Sequence, residues 1–464
     1  MVSYVHDDAA AAAAAPFLSP VEALDPSALR ALQTARLRQQ MDWLWSRSAF
    51  YRRKLEGAGL QPGSVRELDD LPRVPFTTKQ ELRDSLRAAP PFGEHLAADA
   101  ADVIQMQASS GTTGSPSYVA LTRQDAAMWH ESSARSLFAC GIRPGQRVLH
   151  GFSLSKGFVG GLPIFQALQY LGALDIPIGA DGGVERLLAA AFDLRPDAIV
   201  GTPNFLLHLA EAAKELLGRD VRELGVRRLV VGGEPGGGIP ALRQRIQAAW
   251  DAKLCELMGG TDLAVIYWAE CEHQAGMHMT APDFIVTELI APESGQPRPF
   301  EEGATGELVY SAIHRQASPV LRFRSGDHVV VTGTRCACGR RQPMIRCFGR
   351  TDDMLIVRGV NLFPSAVQDL VESMRPAVSG QVRVIADFEG HSTQGNLKLL
   401  VERAEAEPPG LSLPALKQEI ERRVRGALAV KADVLLAPHG SIEKPGAAKV
   451  KLVLRSMPAI EGLQ

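Results

Sequence analysis

Apolar positions change their period several times along the chain, and each change marks an element. Between Asp25 and about Gly57, Leu29, Leu32, Leu37, Met41 and Leu44 recur at mostly helical spacing. Pro26 stands where a first turn tolerates proline, so a helix is predicted there. The middle of the chain then alternates. Short apolar runs at 147–153, 197–201, 227–233 and 253–260 read as strands, and the stretches 184–193, 204–217 and 239–250 read as helices. Gly and Pro clusters punctuate the joins, and the alternation predicts a parallel α/β layer. From about 282 the runs DFIVTELI, GELVYSA, VLRFRSG and HVVVTG are strand-like and closely spaced, which predicts a β-rich subdomain. After GRTDDMLIVRG (349–359) a smaller unit reads as strand, helix (364–373), strand (380–387), strand (396–402), helix (413–427), strand (431–437) and tail. That is a compact α+β domain of about a hundred residues. The expected divisions are a flexible lead-in at 1–24, a large domain at 25–348, a junction at 349–353 and a small C-terminal domain at 354–464.

Composition narrows the function classes. The chain has 464 residues, 45% hydrophobic and 22% charged, as in an ordinary globular protein of two domains. A net charge of -2 gives no general drive toward nucleic acid or an anionic membrane, and neither is expected as a partner. No apolar run reaches the roughly 18–20 residues that span a bilayer. The alanine-rich start carries Asp7 and Asp8 and no basic n-region, so a cytoplasmic location is the default expectation.

Two local patterns carry chemistry. Ser109-Ser110-Gly111-Thr112-Thr113-Gly114-Ser115-Pro116 combines hydroxyls with glycines that let backbone approach a ligand closely. No Gly-Lys-Ser/Thr closes it, so it is not a Walker loop, and its composition alone also fits a surface loop. The second pattern is Cys271-x6-His278 with Cys336-x-Cys338-Gly339. Three thiolates and one imidazole suit a closed tetrahedral zinc site of structural type; buried thiols and a surface histidine are the plainer alternative. His273 is an alternative ligand.

SSGTTGSP, GGEP (232–235), MGGTD (258–262), FRSGD (323–327) and GRTDDMLIVRGVNLFPS (349–365) occur in this order. Together they resemble the motifs of adenylate-forming enzymes, most closely the phenylacetate–coenzyme A ligase branch, over roughly residues 25–455. The resemblance implies ATP-dependent activation of a carboxylic acid and transfer of the acyl group to coenzyme A. It implies that Ser109, Ser110, Gly111, Thr112, Thr113 and Gly114 hold phosphates, and that Gly233, Glu234 and Pro235 pack on adenine. Gly259, Gly260 and Thr261 continue the nucleotide site, with Thr261 and Asp262 catalytic and Asp262 beside Mg²⁺. Asp327 would bind the ribose, Arg350 the ribose or phosphate, and Asp352 would be the hinge about which a mobile small domain turns. Read alone, Asp327 and Asp352 are equally ordinary turn or cap carboxylates. Relatives also show the Cys/His pattern, with His278 at the better spacing, and are often homodimers.

Several positions depart from the family pattern. Ser115 replaces a lysine, Asp262 a glutamate, Met258 a tyrosine, and Ala447 the C-terminal catalytic lysine. Lys449, two residues on, lies on the same side of an extended segment and is the expected substitute, with Lys451 continuing that side. The alternatives are a solvated basic tail, a weakened acyl-adenylate-binding homologue, or a ligase that loads a carrier protein or a nitrogen nucleophile. The expected acyl pocket lies near 150–161, 232–235 and 258–268. Phe152, Phe158, Ile266, Tyr267 and Trp268 there suit a flat aryl or arylacetic acid, though core packing explains them as well.

Overall fold

The structure, a computed structural model, describes residues 15–464 apart from 109–117, 156, 158, 352, 359, 407–411 and 444–450. Its centre is a twelve-stranded sheet. Leu174–Ile176, Arg147–His150, Ala198–Gly201, Arg228–Val231 and Lys253–Gly260 run parallel. These strands are short and apolar because helices cover both faces. Val148, Ala198, Val200, Val230 and Cys255 face helices Arg123–Ala139 and Leu162–Leu171. Leu149, Ile199, Leu229, Val231 and Leu254 face helices Val184–Leu194, Pro203–Leu217 and Pro240–Trp250.

Lys253–Gly260 also pairs antiparallel with Ala264–Glu270. From there the sheet continues through Met277–Met279, Met344–Arg350, Phe323–Gly333, Thr305–Ala312, Ile285–Ile290 and Pro297–Arg298. The strand-rich stretch is therefore continuous with the parallel half through one shared strand.

The first helical stretch is two helices, Pro26–Arg47 and Ala49–Gly57. Ser48, fully buried, ends one and caps the other through its Oγ and the Tyr51 N–H at 3.3 Å. Helix Arg123–Ala139 left no apolar stripe in the sequence because it is buried around most of its circumference, with Ser132, Ser133, Arg135 and Ser136 buried among Met128, Trp129, Leu137 and Phe138. Arg135 pairs with Asp283 at 2.6 Å, and Ser132 Oγ donates to the Ile266 carbonyl at 2.5 Å. Residues 15–24, inside the stretch read as a flexible lead-in, are packed. Leu18 is buried, and buried Glu22 pairs with Arg340 at 2.8 Å, because a carboxylate leaves water only with a partner.

Beyond 354 the strands form separate sheets. Ala432–Ala437, Leu397–Arg403, Val378–Ile385 and Val453–Leu454 make one. Val360–Leu362, Leu355–Val357 and Ser392–Thr393 make a smaller one. Helices Pro364–Glu372 and Leu413–Leu428 close a core of their own, with Val367, Val371, Ile420 and Val424 fully buried. The tail strand Val453–Leu454, which adds parallel to Val378–Ile385, has no counterpart in the sequence reading.

Gly259 permits the tight hairpin at the parallel–antiparallel switch, since a methyl there would lie 1.7 Å from the Val265 carbonyl oxygen. Gly259→Ala is expected to cost about 2 kcal/mol or more in urea unfolding, the scale of overpacking into rigid backbone. An unfolding midpoint equal to wild type would show that the hairpin tolerates the change.

Candidate functional site

Three motif segments converge at the carboxyl end of Lys253–Gly260. The loop after Arg228–Val231 carries Gly233, Glu234 and Pro235. Gly233 has φ +85°, the left-handed region that glycine adopts freely. Glu234 Oε1 accepts from Asn204 Nδ2 at 2.9 Å, which ties the loop to helix Pro203–Leu217. Further on, the Gly238 N–H donates to Glu256 Oε1 at 2.7 Å, and the Glu256 N–H donates to Glu270 Oε2 at 2.8 Å. Arg243 completes the support, with Nη2 at 2.8 Å from both Glu270 oxygens and Nε donating to the Gly237 carbonyl at 2.6 Å. Burial, then the Glu270 charge, pushes the Glu256 carboxyl up to about 7. Glu256 was not singled out in the sequence.

The hairpin itself carries Gly259, Gly260, Thr261 and Asp262. The Leu263 N–H closes onto the Gly260 carbonyl at 2.9 Å, and a side chain on Gly260 would meet the Tyr267 hydroxyl at 3.1 Å. Thr261 is 8% exposed. Lys79 Nζ sits 2.8 and 2.7 Å from the two Asp262 carboxylate oxygens. Lys79 opens helix Lys79–Ala88, whose capping box is Thr78 and Glu81. Arg315, buried against Trp129, donates to the Leu263 carbonyl. His95 lies close enough to feel Asp262, Arg315 and Lys79, and burial, offset in part by the Asp262 charge, lowers it to about 4. Lys79, Arg315 and His95 gave no sequence signal, because nothing local marks a residue whose partners, such as Asp262 for Lys79 and the Leu263 carbonyl for Arg315, lie far along the chain.

Asp327 and Arg350 face each other across antiparallel strands Phe323–Gly333 and Met344–Arg350 and form an ion pair. Arg350 Nη2 also donates to the Ser325 carbonyl at 2.9 Å. Asp327, 7% exposed, belongs to a buried polar group with Tyr267 and Tyr310, whose rings meet edge to face at 5.2 Å. Burial, then the Asp327 charge, raises the Tyr267 hydroxyl well above its usual value, so it is a neutral donor.

The phosphate-loop residues Ser109, Ser110, Gly111, Thr112, Thr113 and Gly114 lie outside the described residues, as do Asp352, Phe158, Ala447 and Lys449. The flanks of these segments are fixed. Ala108 pairs with Tyr118 across the hairpin that carries the loop. Before 444–450 the Ile442 N–H donates to buried Glu402 at 2.9 Å, and after it the Leu452 carbonyl accepts from Val384 at 2.7 Å. Ile266, Tyr267 and Trp268 are at most 2% exposed, in a central strand covered by Trp129 and Ser132 of helix Arg123–Ala139. In this structure they are core.

Cys271, His278, Cys336 and Cys338 come together from widely separated positions, their ligand atoms all within 4.8 Å of one another. The Cys271 and Cys336 sulfurs are 3.6 Å apart, as are Cys338 Sγ and His278 Nε2. His278 Nδ1 faces the Gln342 carbonyl at 3.3 Å. The chosen histidine is thus at the cluster, and His273 is not among these ligands.

Glu256 yields a pH test. Its folded carboxyl keeps its proton to a higher pH than in the unfolded chain. The stability this contributes is therefore present at low pH and is lost as pH rises from the ordinary carboxylate range through about 7. Glu256→Gln is expected to raise the melting temperature at pH 8.5 relative to wild type, and to differ little at pH 5. Equal differences at both values would contradict the burial account.

No protein-family model matches the chain. A phenylacetate-coenzyme A ligase from Thermus thermophilus is 34% identical over 449 residues, covering 94% of this chain and 98% of the relative. Among solved structures, a 2-hydroxyisobutyryl-CoA ligase in the postadenylation state, in complex with R3-HIB-AMP, superposes with a TM-score of 0.87 at 29% identity, over 98% of this chain and 94% of that one. The 2-hydroxyisobutyryl-CoA ligase in complex with 2-HIB-AMP and CoA in the thioesterification state gives 0.70 at 30% identity, over 95% and 92%. An identity of 34% that runs through almost the whole of both sequences is too long to come from one shared motif, and the chain belongs to the phenylacetate–coenzyme A ligase family of adenylate-forming enzymes.

Proposed function

We propose that the protein joins a carboxylic acid to coenzyme A in two steps at one site. In the first, a carboxylate oxygen attacks the α-phosphorus of ATP, an acyl-phosphate bond forms, and pyrophosphate leaves. In the second, the coenzyme A thiolate attacks the acyl carbon, and AMP leaves with the bonding pair. The observation that carries this reading is the Asp327–Arg350 pair beside the Met258–Asp262 hairpin, in a chain 34% identical to a phenylacetate-coenzyme A ligase.

Each residue has a stated part. Asp327 accepts hydrogen bonds from the ribose hydroxyls, and Arg350 keeps its carboxylate aimed. Gly233, Glu234 and Pro235 form a flat wall for adenine. Residues 109–114 bind the β- and γ-phosphates through hydroxyl and backbone donors. Asp262 suits Mg²⁺ in one way: the ion takes one or two protein carboxylates and fills its shell from substrate phosphates. Lys79 holds both Asp262 oxygens and must give way to the ion. Lys449 supplies the cation missing at Ala447. The unit from 354 turns about Asp352 between the two steps, and the better fit to the ligase in its postadenylation state, 0.87 against 0.70 in the thioesterification state, supports an arrangement on the adenylate side of that turn.

The acid we favour is aryl or arylacetic, on kinship with the phenylacetate ligases. With phenylacetate or benzoate, ATP and coenzyme A, AMP and thioester should form in equal amounts, while without coenzyme A only pyrophosphate release or exchange should appear. Lys449→Ala should lower ATP–pyrophosphate exchange by about 10²–10³-fold, the cost of losing one charge-stabilising group. AMP only with 2-hydroxyisobutyrate would replace the aryl assignment; no AMP with any acid would leave a binding homologue.

The knuckle suits Zn²⁺. Metal–sulfur bonds of about 2.3 Å in a tetrahedron put sulfurs about 3.8 Å apart. The Cys271–Cys336 separation of 3.6 Å is close to that edge. With four protein ligands no position is left for water, so the metal would brace the fold. Protein purified without chelator should carry about one zinc per chain by plasma mass spectrometry. A value far below that, in folded protein, would remove zinc from the account.

A further inference from the structure

We propose that Arg245 is a positioning residue, a latch that holds the unit carrying Glu372 in the arrangement for acid activation and releases it for thioester formation. The proposal rests on the two-step reading above. Arg245 lies on helix Pro240–Trp250 and Glu372 ends helix Pro364–Glu372, so the pair bridges the large sheet's outer layer and the C-terminal unit. The guanidinium forks. Nη2 reaches Glu211 Oε1 on helix Pro203–Leu217 at 2.9 Å, and Nη1 reaches Glu372 Oε1 at 3.1 Å.

The C-terminal unit keeps the Glu372 carboxylate in place without help. Arg375 Nε lies 2.7 Å from Oε1. On the other side Gly380, at φ +83°, comes so close that a methyl there would be 2.0 Å from Oε2. A carboxylate at a helix C-terminus is disfavoured by the helix dipole, and Glu372 is only 6% exposed, so it strongly attracts cations. Two guanidiniums thus share one carboxylate. Their mutual repulsion lowers the Arg375 pKa, after burial, and it limits what docking Arg245 adds. A weakly favourable contact is what a joint needs if it must open in every turnover.

The comparisons point the same way. A single ligase, compared in two states at nearly equal identity and coverage, fits this chain at 0.87 in one and at 0.70 in the other. The sequence is not the difference; the relative arrangement of parts is. An ion pair survives only while nitrogen and oxygen stay within about 4 Å, so the Arg245–Glu372 contact belongs to one arrangement.

The test is Arg245→Ala, with Arg245→Lys as the conservative variant, in full-length protein. Because Arg375 still faces Glu372, no buried charge is stranded and the melting temperature should stay near wild type. Without ligands, amide hydrogen exchange in 364–372 should speed up in Arg245→Ala. ATP–pyrophosphate exchange should fall about two- to fivefold, the scale of one part-exposed ion pair, while thioester formation from pre-made acyl-adenylate stays level or rises. Arg245→Lys should recover part of the loss. Equal losses in both half-reactions would mark a merely structural residue and overturn the proposal, as would unchanged exchange protection at 364–372. If wild type catalyses no pyrophosphate exchange with any acid, the two-step reading fails on its own, and the amide exchange still decides whether the contact holds the units together.

Discussion

The molecule depends on the two-sided hydrogen bonding of one strand. Lys253–Gly260 accepts a parallel neighbour along one edge and an antiparallel neighbour along the other. Parallel strands need long helical crossovers, while antiparallel ones need only tight turns, so this strand is where a helix-covered layer gives way to a meander. The open carboxyl ends of the parallel half and the first hairpin of the antiparallel half therefore meet at its end. Residues 232–235, 258–262 and 327 are separated in sequence and adjacent in space for that reason.

Charge handling follows from this geometry. Each ionised group at the centre was assembled with its partner: Asp262 with Lys79, Asp327 with Arg350, Glu270 with Arg243. A carboxylate cannot be left bare in a half-buried cleft, and a cation at hydrogen-bond distance fixes its rotamer. Glu256 makes no ion pair among the described residues, and burial holds its carboxyl up at about 7 while it braces the glycine loop through the Gly238 N–H. The same logic at the periphery gives Glu22 its Arg340, beside the Cys336–Cys338 knuckle. It gives Glu372 its two arginines.

What was legible in the sequence was whatever depends on near neighbours. Strands such as Ala198–Gly201 and Arg228–Val231 were visible because burial on both faces demands an unbroken apolar run. The amphipathic helices Val184–Leu194 and Leu413–Leu428 were visible through their periodicity. The Cys/His set was visible because its spacing is itself chemical, whereas Asp327 was visible only through the resemblance of FRSGD to a family motif. Helix Arg123–Ala139 was not, because Ser132, Arg135 and Ser136 are buried through tertiary hydrogen bonds that no local pattern encodes. Lys79, Glu256 and Arg245 were missed for the same reason. Each looks like an ordinary surface charge until the partner's position is known. Tyr267 and Trp268 left a pocket and a core reading both open in the sequence, since an aromatic pair beside a motif fits either, and in the structure they are buried.

The ends around Lys253–Gly260 and Asp327 are proposed to form one nucleotide cleft. The most direct measurement is titration calorimetry with a non-hydrolysable acyl-sulfamoyl adenosine, on wild type and on Asp327→Ala. Saturable binding is expected for wild type and at least about tenfold weaker binding for the variant, the scale of one charge-assisted hydrogen bond. Folded wild-type protein that takes up none of the ligand, or a variant that binds it equally well, would contradict it.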